Sequence, residues 1–433
     1  MAFDFARSLQ KLQSSDPLRV YGRIDKIVGL AVESLGPPAS MGEMLLLEDH
    51  LNRVPLQVVG FSGNKTISMP LGDLAGMYPG QRLYSSGAPP GFKISDGILG
   101  RVINGLGQPL DGFPDFPRHD YLNIYASPIN AMQREPISKV LSTGIKAIDS
   151  MITIGQGQRM GVFSGSGVGK STLMGMIARN TAADINVIAL VGERGRELKD
   201  FISNSLGPEG LARSVLVVST SEEPPLRKII SAFTATAIAE YYCRRGANVL
   251  LMMDSVTRLA MAQREVGLSA GEPPSTKGYT PSVFSMMPRL MERAGNFMDQ
   301  GSITGIYTIL VEGDDVTEPV SDHARSILDG HVVLSRDLAN SGFFPAIDVL
   351  GSISRLMNEI VSDEHKKIAR GIRSVLAVYS EAEDLVNIGA YVKGSNPRID
   401  DALTRIDHIR AFLRQEVGER FSYEEAVNLL GGI

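Results

Sequence analysis

The sequence contains a single cysteine, Cys243. One thiol excludes an internal disulfide and fits a reducing compartment. It reads as a small side chain near a helix end rather than as a nucleophile. Long apolar runs are also missing, since none approaches the ~20 residues of a membrane span. The opening MAFDFARSLQ lacks the apolar centre of a secretory signal. A large excess of either charge is missing as well. The formal net charge is −5, and the first 90 residues hold eight Lys/Arg against eight Asp/Glu. Without a basic face, no nucleic-acid partner is expected. These absences imply a cytoplasmic protein, peripheral to a membrane at most. No internal repeat or low-complexity tract is present. What remains is 433 residues, 43% hydrophobic and 21% charged, as in a soluble globular protein of two or three domains.

Against that plain background one stretch stands out: Ser164-Gly165-Ser166-Gly167-Val168-Gly169-Lys170-Ser171. It follows the apolar run Met160–Phe163 and opens a segment of helical periodicity. Glycines let backbone N–H groups point inward at an anion, and a helix N-terminus adds a favourable dipole. Gly165 through Thr172 therefore predict a phosphate cradle. Lys170 would reach the β- and γ-phosphates, and the Ser171 hydroxyl would ligate Mg²⁺ brought with ATP. Ser164 stands where a glycine is usually written, which loosens the pattern without touching the cradle.

The text of the chain changes along its length. Residues 1–18 place Phe5, Leu9 and Leu12 at helical spacing, read either as a frayed terminus or as an amphipathic arm for a partner. Residues 19–92 show short apolar runs broken by turn signals, which predicts a small β-barrel or sandwich. The runs are Tyr21–Val28, Glu43–Leu47, Val54–Phe61 and Thr66–Met69. In residues 93–362 apolar runs alternate with helical segments. Ile185–Val191 and Val249–Met253 are nearly all apolar, as strands buried on both faces of a parallel sheet must be. This predicts an α/β nucleotide-binding domain. From 363 to 433 the strand signal stops, and Glu364–Tyr379 and Ile399–Arg414 predict a C-terminal helical domain.

Phosphoryl transfer is mostly positioning and charge stabilisation, so further parts are needed. Asp254 ends the run Val249–Met253 and would hold Mg²⁺ or its waters from the carboxyl end of a neighbouring strand. Glu193 follows the run ending at Val191. It would either polarise the attacking water or belong to a compensated charge cluster with Arg194, Arg196 and Glu197; spacing leaves both open. Arg355, after Gly351-Ser352-Ile353-Ser354, is on spacing alone a loop arginine.

The motifs together carry a family likeness. Residues 140–200 and 249–355 resemble the rotary ATP synthase catalytic subunits. The likeness rests on Gly165–Thr172, Gly192-Glu193-Arg194, Met253-Asp254-Ser255 and Pro345-Ala346-Ile347-Asp348 with Ser352-Ile353-Ser354-Arg355. Within that superfamily the chain is similar to the flagellar type III protein-export ATPases. Gly155–Gly161, Gly192–Asp200, Met261–Glu265, Gly271–Pro274, Lys277–Tyr279 and Glu292–Gly295 carry this, and Gly389–Ser395 looks flagellar where the synthase has an acidic stretch. The injectisome type III secretion ATPases are close relatives.

The resemblance implies a RecA-like P-loop ATPase core with an N-terminal small β-barrel and a C-terminal helical domain, assembled as a homo-hexamer. By matched motif, Glu193 looks like the catalytic carboxylate and Arg194 like a γ-phosphate contact. Glu197 looks like a helper at the magnesium waters, and Arg355 like an arginine finger. Phe344 matches an adenine-stacking position, with Phe in place of the usual Tyr. Phe412-Leu413-Arg414-Gln415 is expected to close the base pocket. Ser164 becomes a small-for-small exchange. The implied partners are a dimeric negative regulator on the N-terminal arm, a central stalk protein, the export gate and chaperone–substrate complexes. The implied place is the cytoplasmic face of the inner membrane. Given those implied roles, Glu193, Arg355 and a complete phosphate loop in one sequence imply that identical chains in a closed ring would supply both halves of every site. Two other classes compete: a ring-shaped RNA helicase, disfavoured by the neutral N-terminal region, and a non-catalytic rotary-motor subunit, disfavoured by the presence of Glu193.

Overall fold

The computed structural model describes residues 19–48, 54–311 and 318–433. The Phe5/Leu9/Leu12 arm lies outside the described residues. The chain divides into two compact units: one runs to Pro90 and includes 224–227 and 265–273, and the other holds the remainder.

The first unit is built of six short strands. They are β1 (Tyr21–Val28), β2 (Ala31–Leu35), β3 (Met44–Leu47), β4 (Pro55–Ser62), β5 (Lys65–Pro70) and β6 (Arg82–Ser85). They close as β1-β2-β5-β4-β3-β6, which leaves no open edge. Ile24, Val32, Leu45, Leu47, Leu56, Val58 and Leu83 fill the barrel. Register shifts in β1 at Ile24/Lys26 and in β4 at Val58/Gly60 help bend the strands. Gly22 is required by close approach, because a Cβ there would lie 2.0 Å from the Gly36 carbonyl carbon.

The second unit begins with β7 (Gly91–Ile94), which pairs with β9 (Asp120–Asn123). Its main sheet uses β8 (Val102–Asn104), β10 (Arg159–Ser164), β11 (Ile185–Glu193), β12 (Ser214–Thr220), β13 (Asn248–Asp254), β14 (Gly295–Asn296), β15 (Ser302–Leu310), β16 (Gly330–Leu334) and β17 (Ile347–Ser354). The order is β17-β16-β10-β15-β13-β11-β12-β8, with β14 on β15. Every pairing from β16 to β8 is parallel, whereas β17 runs antiparallel to β16. The central strands are buried on both faces, which is why they read as unbroken apolar runs.

After the short helix Met357–Ile360, three longer helices follow the sheet: Asp363–Asn387, Pro397–Leu413 and Tyr423–Gly431. Each has a side-chain cap, from Ser362, Asn396 and Ser422 respectively. Their buried residues, among them Ile372, Ile409, Phe412 and Leu430, share one continuous cluster with Met160 and Val162 of β10. Polar ties reinforce the packing. His365 Nε2 lies 2.6 Å from the Ser150 carbonyl, and Arg373 Nη2 donates to Met151 O at 3.2 Å and Ser352 O at 3.0 Å. Among the described residues no helix is long and apolar enough to cross a membrane.

Candidate active site

The parallel sheet brings the carboxyl ends of β10, β11, β13 and β15 to one rim. Registers Ser164↔Leu310, Met253↔Tyr307 and Leu190↔Asp254 set their relative heights. The loop after β10 turns at Gly167 (φ +81°) and Gly169 (φ +92°), conformations that favour glycine. The helix Lys170–Asn180 then starts without a side-chain cap, so its first N–H groups remain directed at the loop. Ser166, Gly167, Ser171 and Thr172 are exposed, while Gly165 and Val168 are buried supports.

Lys170 Nζ forms a short ion pair with Asp254 Oδ1 and lies 3.8 Å from Glu193 Oε1. Thr308 Oγ1 donates to Asp254 Oδ1 at 2.7 Å and fixes the carboxylate from β15. Glu193 is the last residue of β11 rather than a residue beyond it. A register shift at Gly192, whose φ is +74°, re-aims it. A Cβ at Gly192 would press on Arg258 Cδ at 3.1 Å. The bulge thus admits Arg258, whose Nε lies 3.2 Å from Glu193 Oε1. Burial pushes the Glu193 carboxyl up to about 7, helped by a hydrogen bond with Glu197 and by the charge of Asp254. That same bond, with the charges of Arg194, Arg258 and Lys170, draws Glu197 below its ordinary value. One proton and two carboxyls are therefore shared at the lip of the loop.

Lys170, Glu193 and Arg258 line a cleft of about 970 Å³ together with Arg194, Glu197, Arg264, Lys277 and Arg336, with Asp254 just behind it on Lys170. Cationic side chains outnumber Glu193, Glu197 and Glu318 there, as a polyanion requires. Arg194 is largely exposed and pairs with Glu197 at 3.6 Å. A second cavity of about 400 Å³ adjoins the loop, lined by Val168, Gly169, Thr172, Phe344 and Arg414 to Val417. The Phe344 ring lies beside Gly169 and is 48% exposed, a free aromatic face in a cavity. Of the expected closing segment, Arg414 and Gln415 reach this cavity, whereas Phe412 and Leu413 are buried in the core.

Residues 144–354 match the ATP synthase alpha/beta family, nucleotide-binding domain, and residues 361–431 match the T3SS EscN ATPase C-terminal domain. The flagellum-specific ATP synthase of Bacillus subtilis (strain 168) is 48% identical over 97% of this chain and 96% of its own. The chain belongs to the flagellar and type III secretion branch of the ATP synthase alpha/beta family.

The type 3 secretion system ATPase of Xanthomonas euvesicatoria is 45% identical over 96% of this chain and 94% of its own. The assembled ATPase EscN of enteropathogenic E. coli superposes with a TM-score of 0.91 at 42% identity, over 95% of this chain and 99% of that chain. In complex with its central stalk EscO, the EscN structure gives a TM-score of 0.88. Like its family, this protein is an ATP hydrolase of type III protein export.

One expected member of this ATPase's site stands apart. Arg355 follows β17, whose Ser354 pairs with Gly330 at the start of β16, while Ser164 is level with Leu334 at its end. Five residues of strand, about 16 Å at ~3.3 Å each, separate Arg355 from the level of its own phosphate loop. Its backbone N–H donates to Asp329 O at 3.0 Å and its Nη2 to Arg325 O at 3.3 Å. Arg355 does not line the cleft. Residues missed by sequence reasoning do. Arg258 had a usable signal, since it sits in the first turn of the helix after the Asp254 strand. Thr308 lies behind the cleft as Asp254's partner, and among the other polar residues of its buried strand, Ser302 and Thr304, it carried no distinct signal. Arg336, whose Nη1 donates to Ser166 O at 3.4 Å, had none.

Proposed function

We propose that this chain is the ATPase of a flagellar type III export apparatus, working as a homo-hexamer in which each site is completed by a neighbour's Arg355. The observation that carries the ring is the separation of Arg355 from the cleft holding Lys170 and Glu193. A site so divided is whole only when one chain's sheet edge meets the next chain's cleft. The identities to flagellum-specific relatives and the Gly389–Ser395 segment support the flagellar reading.

In the proposed reaction ATP lies with its phosphates on the Gly165–Thr172 loop and its base against Phe344. Lys170 and Arg194 contact the phosphates. Glu193 orients and deprotonates the attacking water, and Glu197 assists at the neighbouring waters. The site suits Mg²⁺ carried by ATP. Glu193 Oε1 is buried without a hydrogen-bond partner of good geometry, and the Ser171 hydroxyl stands free at the loop. Among the described residues no three His, Cys, Asp or Glu side chains form a chelating group, so the nucleotide would supply much of the coordination. Ser171 would ligate the ion directly, with Asp254 and Glu197 reached through water. Bound there, Mg²⁺ would neutralise charge developing on the transferred phosphoryl group.

Hydrolysis helps release chaperones and deliver unfolded subunits to the export gate. A stalk in the ring's centre and a dimeric regulator on the N-terminal arm complete the assembly, held peripherally at the cytoplasmic membrane face. The test is genetic. In strains lacking their own export ATPase, this chain is expected to restore secretion of flagellar filament protein and not of injectisome substrates. The reverse pattern would assign it to an injectisome.

A pH profile addresses Glu193. A carboxyl poised at about 7 is protonated below that pH and cannot take a proton from water. Turnover is expected to fall as pH drops from 8 to 6, measured at saturating nucleotide. The stability effect has the opposite sign. The raised value means the native state holds this proton more tightly than the unfolded chain, so the stabilisation present at low pH is lost as pH rises through about 7. A flat kcat over that range would remove Glu193 from the role of base.

A further inference from the structure

The helix Lys146–Met151 has Ile145 at its N-cap position, and Ile145 makes no side-chain cap bond. Its first N–H is nevertheless satisfied, by Gln415 Oε1 at 2.9 Å from 269 residues away. The same amide donates from Nε2 to Gly144 O at 2.8 Å and to Glu419 O at 3.1 Å. Its backbone N–H donates to Phe344 O at 3.1 Å. Gln415 is only 4% exposed, so the side-chain amide is spent on these protein partners.

What the amide grips is fixed. Asp149 accepts from Thr143 N at 2.8 Å, Thr143 Oγ1 at 2.7 Å, Ser142 Oγ at 2.9 Å and Gly144 N at 3.1 Å, locking the turn before the helix. Gly144 has φ +76°, and a Cβ there would strike Asn180 Cβ at 2.3 Å, so the turn abuts the end of the phosphate-loop helix. Arg179, on that same helix, donates to Val417 O at 2.9 Å. Residues 414–420 therefore form a strap. It leaves the C-terminal helix Pro397–Leu413, is clasped to the base of the phosphate-loop helix, and holds the Phe344 backbone from behind.

We propose that Gln415 is a positioning residue for nucleotide binding: it fixes Phe344 and the strap beside the phosphate loop, and thereby couples the C-terminal helices to affinity for the base. This rests on the reading of the 400 Å³ cavity as the base site. Phe344 and Arg414 to Val417 touch the cavity, while Gln415's amide does not compete for the nucleotide. Movement of the C-terminal helices would reach the base through this residue and spare the phosphate cradle.

The decisive comparison uses two ligands on the full chain, ATP and inorganic tripolyphosphate, which lacks a base. Gln415→Glu keeps the shape and the acceptor for Lys146 N–H but sets a carboxylate against two carbonyl oxygens. Gln415→Met removes all three side-chain bonds without adding charge. Both are expected to weaken ATP binding about tenfold or more, since buried polar groups lose their partners. Tripolyphosphate affinity should change less than about twofold, and the kinetic effect should fall on KM rather than kcat. In a Phe344→Ala background the additional loss of ATP affinity should vanish, because both act through one platform. A wild-type measurement needs no variant to fold: amide hydrogen exchange across residues 414–420 should slow with ATP and not with tripolyphosphate. Equal loss of both ligands, unchanged ATP affinity, or exchange indifferent to ATP would overturn the proposal. Phe344→Ala that leaves ATP affinity unchanged would instead overturn the base-site reading itself.

Discussion

Arg355→Ala is expected to lower turnover by about 10³–10⁵-fold while leaving nucleotide affinity within a few-fold, since an arginine finger acts on charge that develops in the transition state. The register makes this a statement about assembly. Arg355 sits at the Gly330 end of β16, and the phosphate loop leaves the sheet level with Leu334. No side-chain rotation turns a residue tied to Asp329 and Arg325 into its own cleft. On the proposed role the effect is exerted on a neighbour. Arg355→Lys is expected to recover little, because a point charge on a flexible stem does not replace a planar fork of donors. The measurement is single-turnover hydrolysis beside equilibrium binding of a fluorescent nucleotide. An alanine variant with near wild-type turnover would show that another group stabilises the transition state.

Glu193→Gln carries the second large effect, an expected loss of about 10²–10⁴-fold in kcat with nucleotide binding retained. The amide keeps the size of the carboxyl and can still face Arg258, but it cannot take a proton. It also removes a negative charge close to the incoming phosphates, so ATP affinity should hold or rise. These two inactive variants then give a sharper test together. Mixed in one ring, a Glu193→Gln chain still offers its Arg355, and an Arg355→Ala chain still offers its Glu193. Wherever these meet, the site is complete. Mixtures should recover a substantial part of wild-type activity although each parent is inactive. Failure of every mixing ratio, with mixed rings confirmed by mass, would place both residues in one chain's own site.

Much of this protein was legible before any coordinates. The β11 and β13 runs read as buried parallel strands because both faces of the sheet are covered, and full burial leaves no alternation to confuse with a helix. The cradle was legible because a backbone anion site needs glycine at positive φ, and Gly167 and Gly169 meet that need locally. Asp254 was legible from its place at a strand's end. Each of these depends on neighbours in sequence. Glu193 was not legible in the same way, and spacing left it open between a working carboxylate and a surface cluster. Its burial, the bulge at Gly192 and the approach of Arg258 come from three segments brought together by the sheet. Thr308 and Gln415 belong to the same class, since each acts on a residue more than 50 positions away.

Short stretches of sequence suffice to specify a glycine-rich loop of the kind that cradles a triphosphate, with a carboxylate and an arginine available in one polypeptide. Local backbone chemistry suffices for that, because φ preference, strand burial and helix starts are set within a few residues. The distribution of these parts is set by the fold. Strand order and register put Lys170, Glu193 and Asp254 on one rim and left Arg355 at the other end of the sheet. The same packing drew the C-terminal strap against Phe344 and assigned Gln415 its partners. Those outcomes depend on which strands pair and in which direction, a property of the whole chain that no short window of residues contains.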